Sequence, residues 1–358
     1  MTFHSATPTP LSGPVTIDEI RARAAGAPRV PLALLPTPLE DAPRLAAAIG
    51  VGRLLIKRDD LTGLAFGGNK TRNLEFRMAE AVATGADVFI AGLQSQSNSA
   101  RQTTAAANRL GMHTILVLHR DPARDYGGQG NLLVDAILGA EIRFLDSMDG
   151  GEMDRVLRET AAEQRLLGRT PYVMNHAGGF ALGSALAYTL CSCEIAEQVA
   201  VLGVTPTHLY MESGNKGHAG LILGRALLGK EYRVVAISQQ YGNQRVSGAL
   251  AAARDAGRAL GWEVALTEAD VESHDDYVGE AYGVPSPAAW AAIALAARTE
   301  GLLLDPIYTG KAMAGLIDHA RQGMVGPEST VVFVHTGGLP ALFAFKDEAL
   351  AALAGGSR

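Results

Sequence analysis

Val88-Phe89-Ile90-Ala91-Gly92, the polar run Gln94-Ser95-Gln96-Ser97-Asn98-Ser99-Ala100-Arg101-Gln102, an alanine-rich stretch to Leu110, and Thr114-Ile115-Leu116-Val117-Leu118 make up the passage that decides the fold. Two short apolar runs of strand length flank a segment of helical length, which predicts strand, helix and a second strand parallel to the first. The same alternation continues in both directions. Strands are expected over 53–57, 88–92, 114–118, 142–145, 208–211, 233–237, 263–266 and 330–335. Helices are expected over 73–83, 97–110, 130–138, 153–167, 181–199, 217–228, 246–260, 287–299, 310–321 and 339–345. Repetition of this unit predicts an α/β protein with open, mostly parallel twisted sheets flanked by helices on both faces. No internal repeat of fixed period is visible.

Composition bounds the class. The chain has 358 residues, 47% hydrophobic and 19% charged, enough to bury one large core or two moderate ones, so a soluble two-domain protein is expected. Its net charge of −6 is spread along the sequence without a long basic run, which argues against a nucleic-acid partner. Residues 1–25 lack an apolar core of signal-peptide length and no run is long enough to span a bilayer, so no membrane association and a cytoplasmic location are expected. Cys191 and Cys193, the only cysteines, lie two apart in an expected helix, so their side chains diverge and read as core rather than as a disulfide or metal site. No His, Asp or Glu grouping has metal-ligand spacing, and no catalytic metal is expected.

In open α/β sheets, ligands collect where strands enter helices, and the unusual residues of this chain fall there. After the apolar run Leu54-Leu55-Ile56 comes Gly67-Gly68-Asn69-Lys70-Thr71-Arg72. A lysine fixed at such a junction can hold an aldehyde cofactor as an imine; alternatively, Gly-Gly-Asn makes a turn and Lys70 is a solvated first-turn residue. Ser97 or Asn98 suits a helix N-cap, a use that leaves most of that polar loop unexplained. In Glu212-Ser213-Gly214-Asn215-Lys216-Gly217-His218, closely spaced glycines at a helix N-terminus make a cup for a phosphate, although the dinucleotide spacing G-x-G-x-x-G is absent. His335-Thr336-Gly337-Gly338-Leu339-Pro340 is a further such loop, or only a tight turn. A lysine, a hydroxyl-rich loop, an anion cup and a threonine-glycine loop together suit pyridoxal 5'-phosphate, whose aldehyde, ring and phosphate need separate anchors.

These residues carry a resemblance. Over nearly its whole length the chain resembles the 1-aminocyclopropane-1-carboxylate (ACC) deaminase and D-cysteine desulfhydrase family of fold-type-II pyridoxal-phosphate enzymes. The matching segments are Leu35-Pro36-Thr37-Pro38-Leu39, Lys57-Arg58-Asp59-Asp60-Leu61-Thr62-Gly63, Gly67 to Arg72, Gln96-Ser97-Asn98, Arg101-Gln102-Thr103, Asp305-Pro306-Ile307-Tyr308-Thr309-Gly310-Lys311-Ala312-Met313 and His335 to Ala341. The resemblance implies a large domain of residues 1–71 plus 180–358, a small domain of 72–179 inserted in it, the cofactor in the cleft between them, and a homodimer. It implies that Lys70 forms the imine and shuttles the substrate's α-proton, and that Asn98 bonds the cofactor's ring oxygen. Ser97 would face the substrate carboxylate or act as an auxiliary base, with Gln96 beside it. Tyr282 and Tyr308 would be the active-site tyrosines, residues 213–218 the phosphate cup, and Thr309 and Thr336 the neighbours of the ring nitrogen.

Within the family, the deaminases place a glutamate at the position where this chain, like the desulfhydrases, has Thr309. Neutral hydroxyls at the ring nitrogen imply a weaker electron sink, which suits α,β-elimination from a small amino acid better than cyclopropane opening. The expected products are pyruvate, ammonia and the leaving group. ACC deamination, elimination of sulfite from cysteate, racemisation, and cofactor binding without turnover remain open alternatives. Two departures stand out. Asn73 replaces a lysine expected near the phosphate, and the cup is a residue shorter, so Lys216 or His218 is expected to restore the lost charge. After Tyr172-Val173-Met174, Gly178-Gly179 runs directly into Phe180-Ala181, where the family has a polar loop, so the leaving-group pocket is expected to differ.

Overall fold

The computed structural model of the chain describes residues 7–120, 126–147, 149–174, 179–212, 216–242 and 244–355. Its strands form two principal sheets. The larger has the order Glu272–His274, Arg233–Ile237, His208–Glu212, Thr330–Val334, Arg53–Lys57, Leu39–Asp41. Five strands are parallel, and the short edge strand Leu39–Asp41 runs antiparallel to its neighbour. The second sheet has the order Glu141–Leu145, His113–His119, Val88–Gln94, Pro171–Val173, all parallel.

The apolar runs become strands because both of their faces are covered. Leu209, Met211, Val332 and Val334 pack on one side of the larger sheet against Gly179–Val201, Lys216–Leu227 and Gln244–Ala259. Tyr210, Val331 and Phe333 alternate onto the other side, against Pro287–Glu300 and Thr309–Arg321. In the smaller sheet Phe89, Ala91, Leu116 and Leu118 face one core and Val88, Ile90, Ile115 and Val117 the other. Near-continuous hydrophobic strands of this kind mark a sheet enclosed by helices. Cys191 and Cys193 are buried, unpaired thiols in the long helix Gly179–Val201.

Several local features differ from expectation. The 263–266 strand shrinks to Trp262–Glu263, which among the described residues pairs only with Thr9–Pro10, while Val264 and Leu266 turn into the core. The helix expected from 73 begins at Lys70, because Gly67 and Gly68, at φ 64° and 123°, turn the backbone into helical geometry without a side-chain cap. The segment 339–345 divides into a short α-helix, Leu339–Leu342, and a 3-10 turn, Phe343–Phe345. An unforeseen helix, Ile17–Ala24, opens with a reciprocal capping box between Thr16 and Glu19. No helix among the described residues is long and apolar enough to cross a membrane.

Candidate active site

A cavity of about 220 Å³ opens at the carboxyl ends of the central strands and is lined by Lys70, Asn73, Ser97, Glu212, Lys216, Tyr282 and Tyr308, among others. A narrower pocket of about 40 Å³, also bordered by Lys70, Ser97, Glu212 and Tyr308, adds Asn98, Thr336 and Gly337. The carboxyl ends of Arg53–Lys57, Val88–Gln94, His208–Glu212 and Thr330–Val334, with the described residues that follow them, therefore meet at one place, as chain topology requires of an α/β ligand site. A larger cavity of about 770 Å³ lies beside the helix Ile17–Ala24, bordered by Arg21 and Glu197, and contains none of these loops.

Lys70 is held by backbone. Asn69 N–H donates to Thr336 O at 2.9 Å, Asp60 N–H to His335 O at 2.9 Å, and Gly68 N–H to the Thr62 hydroxyl at 2.8 Å. A Cβ on Gly337 would lie 2.7 Å from Gly68 Cα, so the two loops touch backbone to backbone. Burial lowers the pKa of the Lys70 ammonium below its ordinary value, opposed by the nearby Glu212 carboxylate. Its position as first residue of a helix adds to that lowering, since the positive end of the helix dipole disfavours a cation.

Beneath Lys70, Arg72 is 2% exposed and bonds both Asp59 oxygens, at 2.8 and 2.9 Å, and both Glu194 oxygens, at 2.7 and 2.9 Å. Lys57 reaches Glu194 at 2.7 Å and the Tyr188 hydroxyl donates to Asp59 at 2.9 Å. This buried cluster ties a central strand, the lysine helix and Gly179–Val201 together. Sequence reading passed over it, although Lys57, Asp59 and Arg72 stand in the quoted segments.

Ser97 caps the helix Asn98–Arg109, its Oγ accepting from Ser99 N–H at 3.1 Å and Ala100 N–H at 3.4 Å. Asn98 is oriented by a chain of obligate donors. Arg101 Nε donates to Asn131 Oδ1 at 2.8 Å, which turns Asn131 Nδ2 toward Asn98 Oδ1 at 3.0 Å. The Asn98 amide NH₂ is thereby left for the pocket. Gln96 does not line either cavity; it is spent on the Gln129–Asn131 turn, accepting from Asn131 N–H at 2.9 Å and donating to Gln129 O at 2.8 Å. Other polar residues of this run are also bracing groups, for Ser95 bonds His119 O and Gln102 accepts from Thr71 N–H and hydroxyl at 2.9 Å each.

Ser213, Gly214 and Asn215 of the expected cup lie outside the described residues. Lys216 and Gly217 line the cavity at the start of Lys216–Leu227. Burial, Arg77 and Lys70 push the Lys216 ammonium down to about 8. His218 is buried instead, its Nε2 3.2 Å from Val234 O, and burial pushes it down to about 4, so it is a neutral core residue that supplies no charge to the cup. Thr309 faces away too. Its hydroxyl donates to Asp305 Oδ1 at 2.7 Å and accepts from Asp305 N–H at 2.8 Å, which removes it from the cavity wall where Thr336 remains. The Tyr282 and Tyr308 hydroxyls are 2.6 Å apart at the rim, and burial pushes the Tyr308 phenol pKa well up.

Three residues that line the cavity also carry a buried side-chain atom without a hydrogen-bond partner: Asn73 Oδ1, Ser184 Oγ and Gln239 Oε1. Buried polar groups are nearly always satisfied, so three unsatisfied around one cavity mark a place for a polar ligand. An amine of lowered basicity, a free amide donor, a hydroxyl and a helix N-terminus with a cation match the separate functional groups of pyridoxal 5'-phosphate. The residues present fit that cofactor.

D-cysteine desulfhydrase of Salmonella paratyphi C is 39% identical over 324 residues, covering 89% of this chain and 96% of that protein. The D-cysteine desulfhydrase of Salmonella newport matches to the same extent, 39% over 324 residues. A crystal structure of an ACC deaminase homologue superposes with a TM-score of 0.84 at 36% identity, covering 93% of this chain and 99% of that one. Threonine deaminase isoform 2 from Solanum lycopersicum, at 15% identity and a TM-score of 0.63, shares the fold. The family model described as pyridoxal-phosphate dependent enzyme matches residues 30–337, and the chain belongs to that family.

Proposed function

We propose that this chain is a β-eliminating lyase acting on D-cysteine or a close analogue, releasing pyruvate, ammonia and the leaving group. The observation that carries the reading is Lys70, an amine of lowered pKa fixed at a helix start, facing one cavity together with the free Asn98 amide and three unsatisfied polar atoms. When bound, the cofactor supplies an electron sink for negative charge at the substrate α-carbon. Lys70 would hold the cofactor at its aldehyde carbon and would then take the substrate's α-proton at Nζ. Asn98 Nδ2 would donate to the ring oxygen. The Ser97 hydroxyl, at the N-terminus of Asn98–Arg109, orients the substrate carboxylate. Lys216 would balance the phosphate in place of the cation missing at Asn73, and the Tyr282–Tyr308 pair would cover the open side and exclude water.

Two features support segment 72–179 as a small inserted domain: all four strands of the smaller sheet fall between 88 and 173, and the six of the larger sheet fall outside that segment. A cytoplasmic homodimer belongs to the same proposal, its oligomeric state measurable by light scattering of the purified protein. One observation favours ACC deamination as a second reading. The sequence argument against it rested on neutral hydroxyls at the ring nitrogen, whereas Glu212 brings a carboxylate to Thr336.

The test incubates the purified protein with D-cysteine, L-cysteine, β-chloro-D-alanine, cysteate and 1-aminocyclopropane-1-carboxylate, and quantifies keto acid, sulfide and sulfite. Pyruvate and sulfide from D-cysteine are expected. Predominant 2-oxobutyrate from the cyclopropane substrate would select the second reading, and Lys70→Ala retaining both turnover and cofactor absorbance would refute both.

A further inference from the structure

Glu212 has no role in the chemistry above, yet it stands inside the candidate site. It ends the strand His208–Glu212, whose register against Thr330–Val334 pairs Met211 with Val334 and so sets Glu212 beside the loop carrying Thr336. The side chain is 6% exposed and borders both cavities together with Lys70. The Thr336 hydroxyl donates to Glu212 Oε2 at 3.4 Å. Of the two hydroxyls expected at the ring nitrogen, Thr309 is committed to Asp305, and Thr336 points its proton at this carboxylate. A cationic ring nitrogen set against a buried carboxylate would make a strong, charge-assisted hydrogen bond.

We propose that Glu212 is the acidic partner of the cofactor's pyridine nitrogen, holding that nitrogen protonated, with Thr336 as the residue that positions the carboxylate. The inference rests on the cavity being the pyridoxal-phosphate site. It departs from the weak electron sink expected from the sequence: here the carboxylate comes from the end of His208–Glu212 rather than from position 309. A protonated ring deepens the sink and sustains negative charge at the α-carbon beyond what a rapid elimination requires.

The experiment reconstitutes the full chain with pyridoxal phosphate labelled with ¹⁵N at the ring nitrogen. The wild type is expected to give a pyridinium chemical shift, Glu212→Gln a neutral-pyridine shift, and Glu212→Asp a return toward the wild-type signal. Turnover by Glu212→Gln should fall on the order of 10²-fold, as for removal of one charge-stabilising group in a buried site. With a cofactor analogue carrying C–H in place of the ring nitrogen, wild type and Glu212→Gln should become equal. A neutral ring in a wild-type protein that binds the cofactor through Lys70 would overturn this inference alone, as would an unchanged shift in Glu212→Gln. Failure of the wild type to bind the cofactor at all would overturn the functional reading beneath it. Should Glu212→Gln not fold, the wild-type shift together with Glu212→Asp decides the matter.

Discussion

Glu194 and Glu197 occupy successive turns of the helix Gly179–Val201, and replacing each by glutamine measures what burial does to an ion pair. Glu194 accepts from Lys57 Nζ at 2.7 Å, Arg72 at 2.7 and 2.9 Å, and Thr37 N–H at 3.3 Å. Glu197 binds Arg21 through two bonds of 2.6 and 2.7 Å, geometry at least as good. Exposure separates them: the side chains are 0%, 2% and 8% exposed for Lys57, Arg72 and Glu194, against 43% and 44% for Arg21 and Glu197. Removing one partner of a buried pair costs about 3–5 kcal/mol, because the remaining charges stay buried without compensation. An independent route agrees. Burial pushes the Glu194 carboxyl up, but Arg72 and Lys57 outweigh it and bring the group from its ordinary 4.5 down to about 2, which corresponds to roughly 3 kcal/mol at about 1.4 kcal/mol per tenfold. The solvated Glu197 pair should contribute below about 1 kcal/mol. The assay is urea unfolding followed by far-UV circular dichroism at neutral pH, comparing Glu194→Gln with Glu197→Gln. Because the Glu194 pKa is depressed in the folded state, its contribution is complete above about pH 4.5 and is lost as pH falls toward about 2, so the gap from wild type should narrow over that interval. Equal destabilisation by the two substitutions, or a gap that widens on acidification, would refute the reasoning.

The remaining predictions concern the site. Gly337→Ala must place a methyl 2.7 Å from Gly68 Cα at a φ of 95°, so it should destabilise by about 2–4 kcal/mol and displace the lysine loop, read as lost cofactor absorbance. Lys216→Met should weaken cofactor binding roughly 10-fold, about the worth of one charge-assisted hydrogen bond. Since the Lys216 ammonium titrates near 8 in the free protein, wild-type affinity should fall as pH rises through that value, whereas the variant's profile should be flatter. Thr309→Val should cost about 1–3 kcal/mol of stability through the Asp305 bonds yet leave the cofactor spectrum unchanged, and a shifted spectrum would return Thr309 to the ring.

The sheets were legible because enclosed parallel strands are nearly uniform in hydrophobicity: Arg53–Lys57 and Arg233–Ile237 match their expected bounds. Short edge strands such as Pro171–Val173 and Glu272–His274 were not, since three residues carry no period to read. The Ser97 cap could be read from residue type alone. The fates of Gln96, His218 and Thr309 could not, because each has a local partner: the Gln129–Asn131 turn, Val234 O and Asp305 respectively. Glu212 was visible as a letter in the anion loop, but its meaning depends on strand register, which brings Thr336 alongside across 124 positions of sequence. Asn73, read as a missing cation, proved also to be one of the unsatisfied groups around the cavity.

The strand Thr330–Val334 lies between Arg53–Lys57 and His208–Glu212 and is the last of the sheet to be synthesised. A chain emerging from the ribosome therefore holds the lysine loop and the anion loop well before the segment that joins them, and contacts of such long sequence separation form slowly. Until that strand threads into the gap, Asn69 lacks its Thr336 carbonyl and Lys70 has no fixed address. Capture of a cofactor at Lys70 would thereby wait for the synthesis of Thr330–Val334, and a fragment cut short before Thr330 should leave the aldehyde unclaimed.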